Sequence, residues 1–368
     1  MIARFFHGWE QRLAQVSHAE RVVRPFDWGL DWIDMADSPA PGGAAVNGTR
    51  ADGTDPEAHI RSWVHGIMSD TDRFFTPSPT SDYTFVQASA EVAAGGEAGA
   101  LTFPSALVTP HPENNVVHAR LFPAQPIRAL RSGAGAPRRA VVVLAQWNAD
   151  AEGHIGLCRL LARLGITALR ISLPYHDRRM PPELSRADYI VSSNVVRTLQ
   201  VCRQAVLDVR RALWWLRDQG YDRLGLLGTS LGSCLAMLTS SHEPLVRAQA
   251  LNHVSPHFGD VVWRGLSTEH VRRGLDGHLD ADRLRDLWKP ISPWSYLDRV
   301  QATKTLLVYA RYDLTFPVDL SLTLVDEWRR RDPSIRVAVL PCGHYSTGVA
   351  PFKFLDGWHL GNFLARNL

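Results

Sequence analysis

Residues 139–147, "RAVVVLAQW", form a continuous β-branched stretch with no polar alternation. Such a run reads as a strand buried on both faces, and that strand needs a layer of structure above and below it. The segments C-terminal to it supply those layers. "IGLCRLLARLG" carries apolar residues at helical spacing and ends on Gly165, a natural C-cap. "ITALRISLP" is a second buried strand. Val195, Leu199, Cys202, Val206, Val209, Leu213 and Leu216 then step by fours and threes along one face of a long helix that stops at Gly220. "RLGLLG" and "SLGSCLAMLTSS" repeat the strand–helix unit. "VRAQALNHV", "KTLLVYA" and "IRVAVLP" are further strands, with helices expected over 317–331 and near 351–366. This alternation predicts an α/β fold, a mostly parallel central sheet with helices on both faces. In such sheets ligands bind beyond the carboxyl ends of the strands.

Two territories emerge along the 368 residues. Residues 1–112 read as an N-terminal extension, with loop-like tracts at 38–56 and 76–84 rich in Pro, Gly, Ser and Asp. Its aromatic residues Trp28, Trp32, Trp63, Phe74 and Phe75 require burial, most simply against the main domain as an added layer or lid. Residues 113–368 read as the α/β domain, beginning with "NVVHARLF" as an edge strand. An insertion at about 256–300 contains Val261, Val262, Trp263 and Leu266 at amphipathic spacing and reads as a helical lid.

The formal charge of +3, with basic and acidic residues interspersed, argues against a nucleic-acid surface. Cys158, Cys202, Cys234 and Cys342 lie far apart without metal-ligand spacing, which points to a reducing compartment. The first fifteen residues lack the apolar core of a secretory signal, and no run approaches the ~20 apolar residues that cross a bilayer. A cytoplasmic location without evident membrane association is therefore expected. No Gly-rich phosphate loop of the P-loop or dinucleotide type is present.

One short stretch points to chemistry. Gly228-Thr229-Ser230-Leu231-Gly232 fits G-x-S-x-G and lies where an apolar strand passes into an apolar helix. At that corner the serine is held in a strained conformation above the sheet edge, with the adjoining helix directing its N–H groups at the same spot. The plainer alternative is a tight turn bearing a surface serine. A serine nucleophile needs a base, and the base an orienting acid, in the chain order Ser, Asp or Glu, His. Asp313 comes after the strand "LLVYA" and His344 after "VAVLP", which brings both to the edge occupied by Ser230. His253, His257, His270 and His278 precede Asp313 and would break that order; Asp319 and Asp260 are compatible with ordinary solvated carboxylates. A tetrahedral intermediate would need two N–H donors. Leu231 supplies one, and the loop after the first core strand supplies the other, from Trp147 or from Gln146.

The elbow, Asp313, His344 and the strand–helix order resemble the α/β-hydrolase superfamily over residues 113–368. Within it, the segments around 144–179 and 224–233 resemble the branch containing the mammalian abhydrolase-domain protein eighteen. In that branch the oxyanion-side loop is glycine-rich, whereas in this chain Ala145-Gln146 stand in its place. The resemblance implies hydrolysis of esters, thioesters or amides by the serine, without an organic cofactor or metal.

The loop 173–184 should border the site. Tyr175 and His176 are candidates for substrate contact, with Trp147 and Trp263, while Asp177 and Arg178 could instead pair to hold the loop. The lid lacks the charged clusters that a phosphate-rich ligand would favour. The expectation is a carboxylic-ester hydrolase working through an acyl-enzyme on a small-molecule ester or lipid. A lipid acyl hydrolase or acyltransferase with the same three residues is the nearest alternative. A non-catalytic binding protein of this fold is the alternative from another class.

Overall fold

A computed structural model of the chain describes residues 2–16, 21–34, 55–125, 137–300 and 303–368. The loop tract expected at 38–56 lies almost wholly outside these residues. Nine strands form one sheet: β1 (Thr84–Gln87), β2 (Gly99–Pro104), β3 (Val116–Phe122), β4 (Arg139–Leu144), β5 (Thr167–Ile171), β6 (Arg223–Thr229), β7 (Val246–Asn252), β8 (Lys304–Ala310) and β9 (Arg336–Leu340). Their spatial order is β1-β2-β3-β5-β4-β6-β7-β8-β9. From β5 to β9 every pairing is parallel, while β1, β2 and β3 add antiparallel strands at one side.

Two expectations change with this topology. β3 is not an edge strand, because β2 pairs along its outer side. The boundary read at residue 112 also falls inside the antiparallel part of the sheet, since β1 and β2 precede it. Both strands are short, β2 has a single β-branched residue, and β1 is exposed along its length. Pairing of β2 with β3, and of β1 with β2, extends the sheet through them.

The central strands divide their side chains between two cores. On β4, Ala140, Val142 and Leu144 enter one hydrophobic cluster, and Val141 and Val143 enter the other. The period of two in a strand requires this division, and it explains why the run has no polar face. The helices that bear on the site are α1 (Ile2–Val16), α2 (Pro56–Ser69), α3 (Ile155–Arg163), α4 (Val195–Asp218), α5 (Leu231–Ser240), α6 (Phe258–Arg264), α7 (Glu269–Leu275), α8 (Ala281–Leu287), α9 (Val318–Arg331) and α10 (Phe352–Asn367). α4 and α5 contribute to the first cluster, and α3 and α10 to the second.

The 24 residues of α4 are capped by Asn194, whose side chain accepts the Arg197 N–H at 2.9 Å. The aromatic residues of the extension pack as required. Trp32, Phe74 and Phe75 are buried in the α4 side of the core, and Trp28 and Trp63 are half-buried against it. α6, α7 and α8 form the helical insertion anticipated at 256–300. Among the described residues no helix is long and apolar enough to cross a membrane.

Candidate active site

β6 ends at Thr229 and α5 begins at Leu231, so Ser230 is the whole turn between them. Its backbone sits at φ 56°, ψ −118°, a region that residues with a side chain rarely enter. The flanking glycines are required by space. A Cβ on Gly228 would come within 2.1 Å of Gly232 O, and one on Gly232 within 2.3 Å of Leu144 O. The strained corner is held by Ser230 N–H donating to Asn252 O at 2.8 Å, and by Ser233 donating through N and Oγ to Ser230 O.

Asp313 lies just beyond β8 and is buried. Its Oδ1 accepts the N–H groups of Thr315 and Phe316 at 2.8 and 2.7 Å. Its Oδ2 accepts His344 Nδ1 at 3.0 Å and His253 Nδ1 at 2.9 Å. Burial pushes this carboxyl up, but the His344 charge and the hydrogen bonds from both imidazoles outweigh it and hold Asp313 well below the usual carboxylate range. With Nδ1 of His344 turned to Asp313, Nε2 is the ring atom left to exchange a proton. The ring stacks on Phe316, with centroids 5.4 Å apart. Ser230 and His344 both line one cavity of about 980 Å³ at the carboxyl ends of the strands.

His253, set aside in the sequence because it precedes Asp313, therefore touches the same oxygen as His344. It caps β7 at φ 58° and is buried. Burial first, and then the neighbouring His344, push its pKa down, so it stands as a neutral ring donating from Nδ1. Donor atoms of His253, Asp313 and His344 lie within 4.8 Å of one another, close enough to hold an ion. The spacings of 2.9 and 3.0 Å are those of hydrogen bonds, with Oδ2 already accepting from both rings. Of the other rivals, Asp319 pairs with Arg264, Asp260 with Arg285, and His278 stacks on Phe26, while His257 lines the same cavity as Ser230.

The loop after β4 and the first turn of α5 carry the N–H groups named above as candidate oxyanion donors. Among the described residues, the N–H groups of Leu231, Gln146 and Trp147 have no hydrogen-bond partner, and all three residues line the cavity. Asn148 adopts φ 60° and donates its N–H to His176 Nε2 at 3.0 Å, while His176 Nδ1 donates to Pro174 O at 2.9 Å. Trp147 Nε1 donates to Ala187 O at 2.9 Å.

Three of the residues named for substrate contact are used differently. His176 is buried away from the cavity and braces the Asn148 turn, its pKa pushed down to about 4 by burial. Tyr175 is buried, with its hydroxyl bonded to His111 Nδ1 at 2.9 Å. Trp263 packs under Arg272 and does not line the cavity, although its neighbours Val261 and Val262 do. Asp177 pairs with Arg170 rather than Arg178. For Tyr175, His176 and Asp177 the loop leaves β5 near the site but turns its side chains into the protein, where buried polar groups need partners.

A residue that no motif singled out supports the histidine. Glu10 on α1 is fully buried. Its carboxylate accepts Tyr345 N–H at 2.8 Å, Ser346 N–H at 2.9 Å and Ser346 Oγ at 2.6 Å, immediately after His344. A Cβ on Gly343 would lie 2.3 Å from Glu10 Cδ, so the glycine before the histidine exists to admit this side chain. The available cue was the spacing Phe6-Glu10-Ala14, which puts the helix's only acid on its inward face.

No family model and no curated protein sequence matches this chain. Solved structures do match. The chain is similar to acetyl xylan esterase 1 from Thermoanaerobacterium sp. JW/SL YS485, with a TM-score of 0.56 and 14% identity over 92% of this chain and 99% of that one. It is similar to an acetyl xylan esterase from Paenibacillus sp. R4, with a TM-score of 0.58 and 12% identity over 87% and 97%. A Pyrococcus furiosus esterase matches with a TM-score of 0.52 and 15% identity over 79% and 97%. At these identities the likeness is one of fold: the chain has the α/β-hydrolase fold.

Proposed function

We propose that the protein is a serine hydrolase of carboxylic esters. The observation that carries this reading is the convergence on one cavity of a serine at a strained strand–helix corner and a histidine bonded to a buried carboxylate. His344 Nε2 takes the Ser230 proton as Oγ attacks the ester carbonyl. Negative charge on the carbonyl oxygen is met by the N–H of Leu231 and by that of Trp147 or Gln146. Collapse breaks the bond to the alcohol oxygen, which leaves with the proton held by His344. Water then attacks the acyl-enzyme, passing its proton to His344, and the acid departs as Ser230 regains its hydrogen. Asp313 stabilises the imidazolium in both halves.

The fold likeness to esterases supports ester chemistry in general. The cavity walls supply a second reading, a lipid acyl hydrolase or acyltransferase with the same three residues. Met237, Phe258, Val261, Val262 and Leu324 form an apolar side suited to a hydrocarbon chain.

The test is labelling with a fluorophosphonate probe and turnover of p-nitrophenyl esters of graded chain length. Ser230→Ala should abolish labelling and cut kcat by at least about 10³-fold. Labelling that persists in Ser230→Ala would overturn the assignment, and an unlabelled native protein would favour the non-catalytic alternative. A rate maximum at long chains would favour the lipid reading, and product partition toward added alcohol would favour acyl transfer.

A further inference from the structure

Apolar side chains gather on the outside of neighbouring helices, where the core has no use for them. On α1, Ile2, Phe5, Trp9 and Val16 follow one another at helical spacing along the stripe opposite the buried Glu10 and Ala14. Ile2, Phe5 and Val16 are exposed and Trp9 is half-buried. On α10, Phe354 and Trp358 stand one turn apart and are 67% and 58% exposed, with Leu355 exposed between them.

These stripes adjoin. Glu10 seats α1 on Tyr345 and Ser346, in the segment that leads into α10. The Phe352 ring at the start of α10 meets Phe6 and Trp9, with centroids 6.1 and 6.4 Å apart. α3 completes the face, because Gly357 and Gly361 bring α10 down onto Leu160 and Leu164.

The exposed charge here has one sign. α3 contains no acid, and α1 and α10 contain one each, Glu10 and Asp356. Both turn inward, Glu10 to the segment after His344 and Asp356 to Asn252. Arg4, Arg12, Arg163 and Lys353 are exposed and, among the described residues, make no ion pair. The carboxylates that precede α3 are engaged locally: Asp150 caps its own turn and Glu152 pairs with Arg120. The cavity that holds Ser230 reaches this face, since Arg163, Lys353, Phe354 and Trp358 line it.

We infer that the outward face of α1, α3 and α10 docks on an anionic lipid surface, with the outer end of the cavity turned toward it. Aromatic and aliphatic side chains enter the boundary between headgroups and acyl chains, while Arg and Lys meet the acidic headgroups. A second copy of the chain fits this face less well, because a two-fold contact would set its cations against the same cations. Docking of this kind needs no spanning helix, and the expectation of no membrane association rested on the lack of a spanning run. The docking rests on the surface alone. Delivery of a lipid ester from that surface to Ser230 rests on the proposed hydrolase reading and favours its lipid form.

Vesicle flotation tests the docking, with phosphatidylcholine alone and with about one quarter phosphatidylglycerol added. The native protein should partition at least about tenfold more strongly onto the anionic vesicles, and about 1 M sodium chloride should remove most of that difference. Phe5→Ser and Trp358→Ser should each weaken the partition about fivefold or more, as should Arg12→Glu and Lys353→Glu. Val86→Ser, at an exposed apolar position on β1, should leave it unchanged, and Ser230→Ala should float as the native protein does. If a variant fails to fold, the salt and lipid dependence of the native protein decides. Equal partition onto both vesicles, or partition that survives Phe5→Ser and Arg12→Glu, would overturn this face. So would a dimer in sedimentation velocity that Phe5→Ser dissociates, which would assign the face to a second copy. Fluorophosphonate labelling without flotation would sink the docking and leave the hydrolase standing. Flotation without labelling would sink the hydrolase and keep the docking.

Discussion

Asp313 accepts four hydrogen bonds, two backbone N–H groups on Oδ1 and two imidazoles on Oδ2. A carboxylate with every lone pair engaged cannot rotate, so the direction of His344 is inherited from a fixed acceptor. Replacing His253 by Phe keeps an aromatic ring, slightly larger, and removes one charge-assisted bond, about 1.5–3 kcal/mol. The expected outcome is a fall in kcat of roughly 10–100-fold with KM little changed, measured on a short p-nitrophenyl ester. An equal rise in KM with kcat intact would place His253 in binding instead.

Asp356 of α10 is a second residue whose environment decides its behaviour. Its Oδ2 accepts Asn252 Nδ2 at 2.9 Å, while its Oδ1 is buried without a partner. Burial pushes its pKa up to about 7, the Asn252 bond opposing only part of the shift. A carboxyl whose folded pKa is raised binds its proton more tightly folded than unfolded. Its contribution is full below pH ~4 and is lost as pH rises to about 7. Asp356→Asn should therefore gain in Tm relative to the native protein as pH is raised from 5 to 8. Parallel Tm–pH curves for the two proteins would count against this account.

Among the elements, α1 inverts the usual arrangement of an amphipathic helix. Its buried residues are Glu10 and Ala14, while Ile2 and Phe5 stay exposed. Phe6 anchors it by stacking on Tyr312 with ring centroids 4.6 Å apart. The helix thus delivers one carboxylate to the loop that carries His344. Glu10→Ala would strand two backbone N–H groups and one hydroxyl, a loss of about 2–4 kcal/mol in denaturant unfolding. It should also lower kcat at least tenfold by releasing the histidine loop, with Glu10→Gln restoring part of both. Unaltered kcat in a folded Glu10→Ala protein would separate α1 from the site.

Across the whole molecule, the added antiparallel strands are fastened to the parallel core by a buried polar junction. Arg179 and Asp208 form a fully buried pair at 2.9 Å. Asp208 also accepts Ser105 Oγ at 2.8 Å and Ala106 N–H at 3.1 Å, in the connection between β2 and β3. Removing one partner of such a pair leaves a buried unpaired charge. Asp208→Ala should cost about 3–5 kcal/mol, read from denaturant midpoints at constant m. A loss below about 1 kcal/mol, the size of an ordinary hydrogen bond, would mean that this junction does not hold the layers together.

Local pattern determined the parallel sheet, the helices on its two faces, the strand–helix corner at Ser230, and the positions of Asp313 and His344 at strand ends. Each is encoded in residues adjacent along the chain, through a side-chain period of two or 3.6 and through glycines that only a tight corner requires. Tertiary structure alone decided that His253 shares the Asp313 oxygen, that Glu10 seats the His344 loop, and that His176 and Tyr175 turn inward. Those contacts join residues tens to hundreds of positions apart. No periodicity records them, because a hydrogen bond or charge pair is set by where the packed layers leave two groups within about 3 Å.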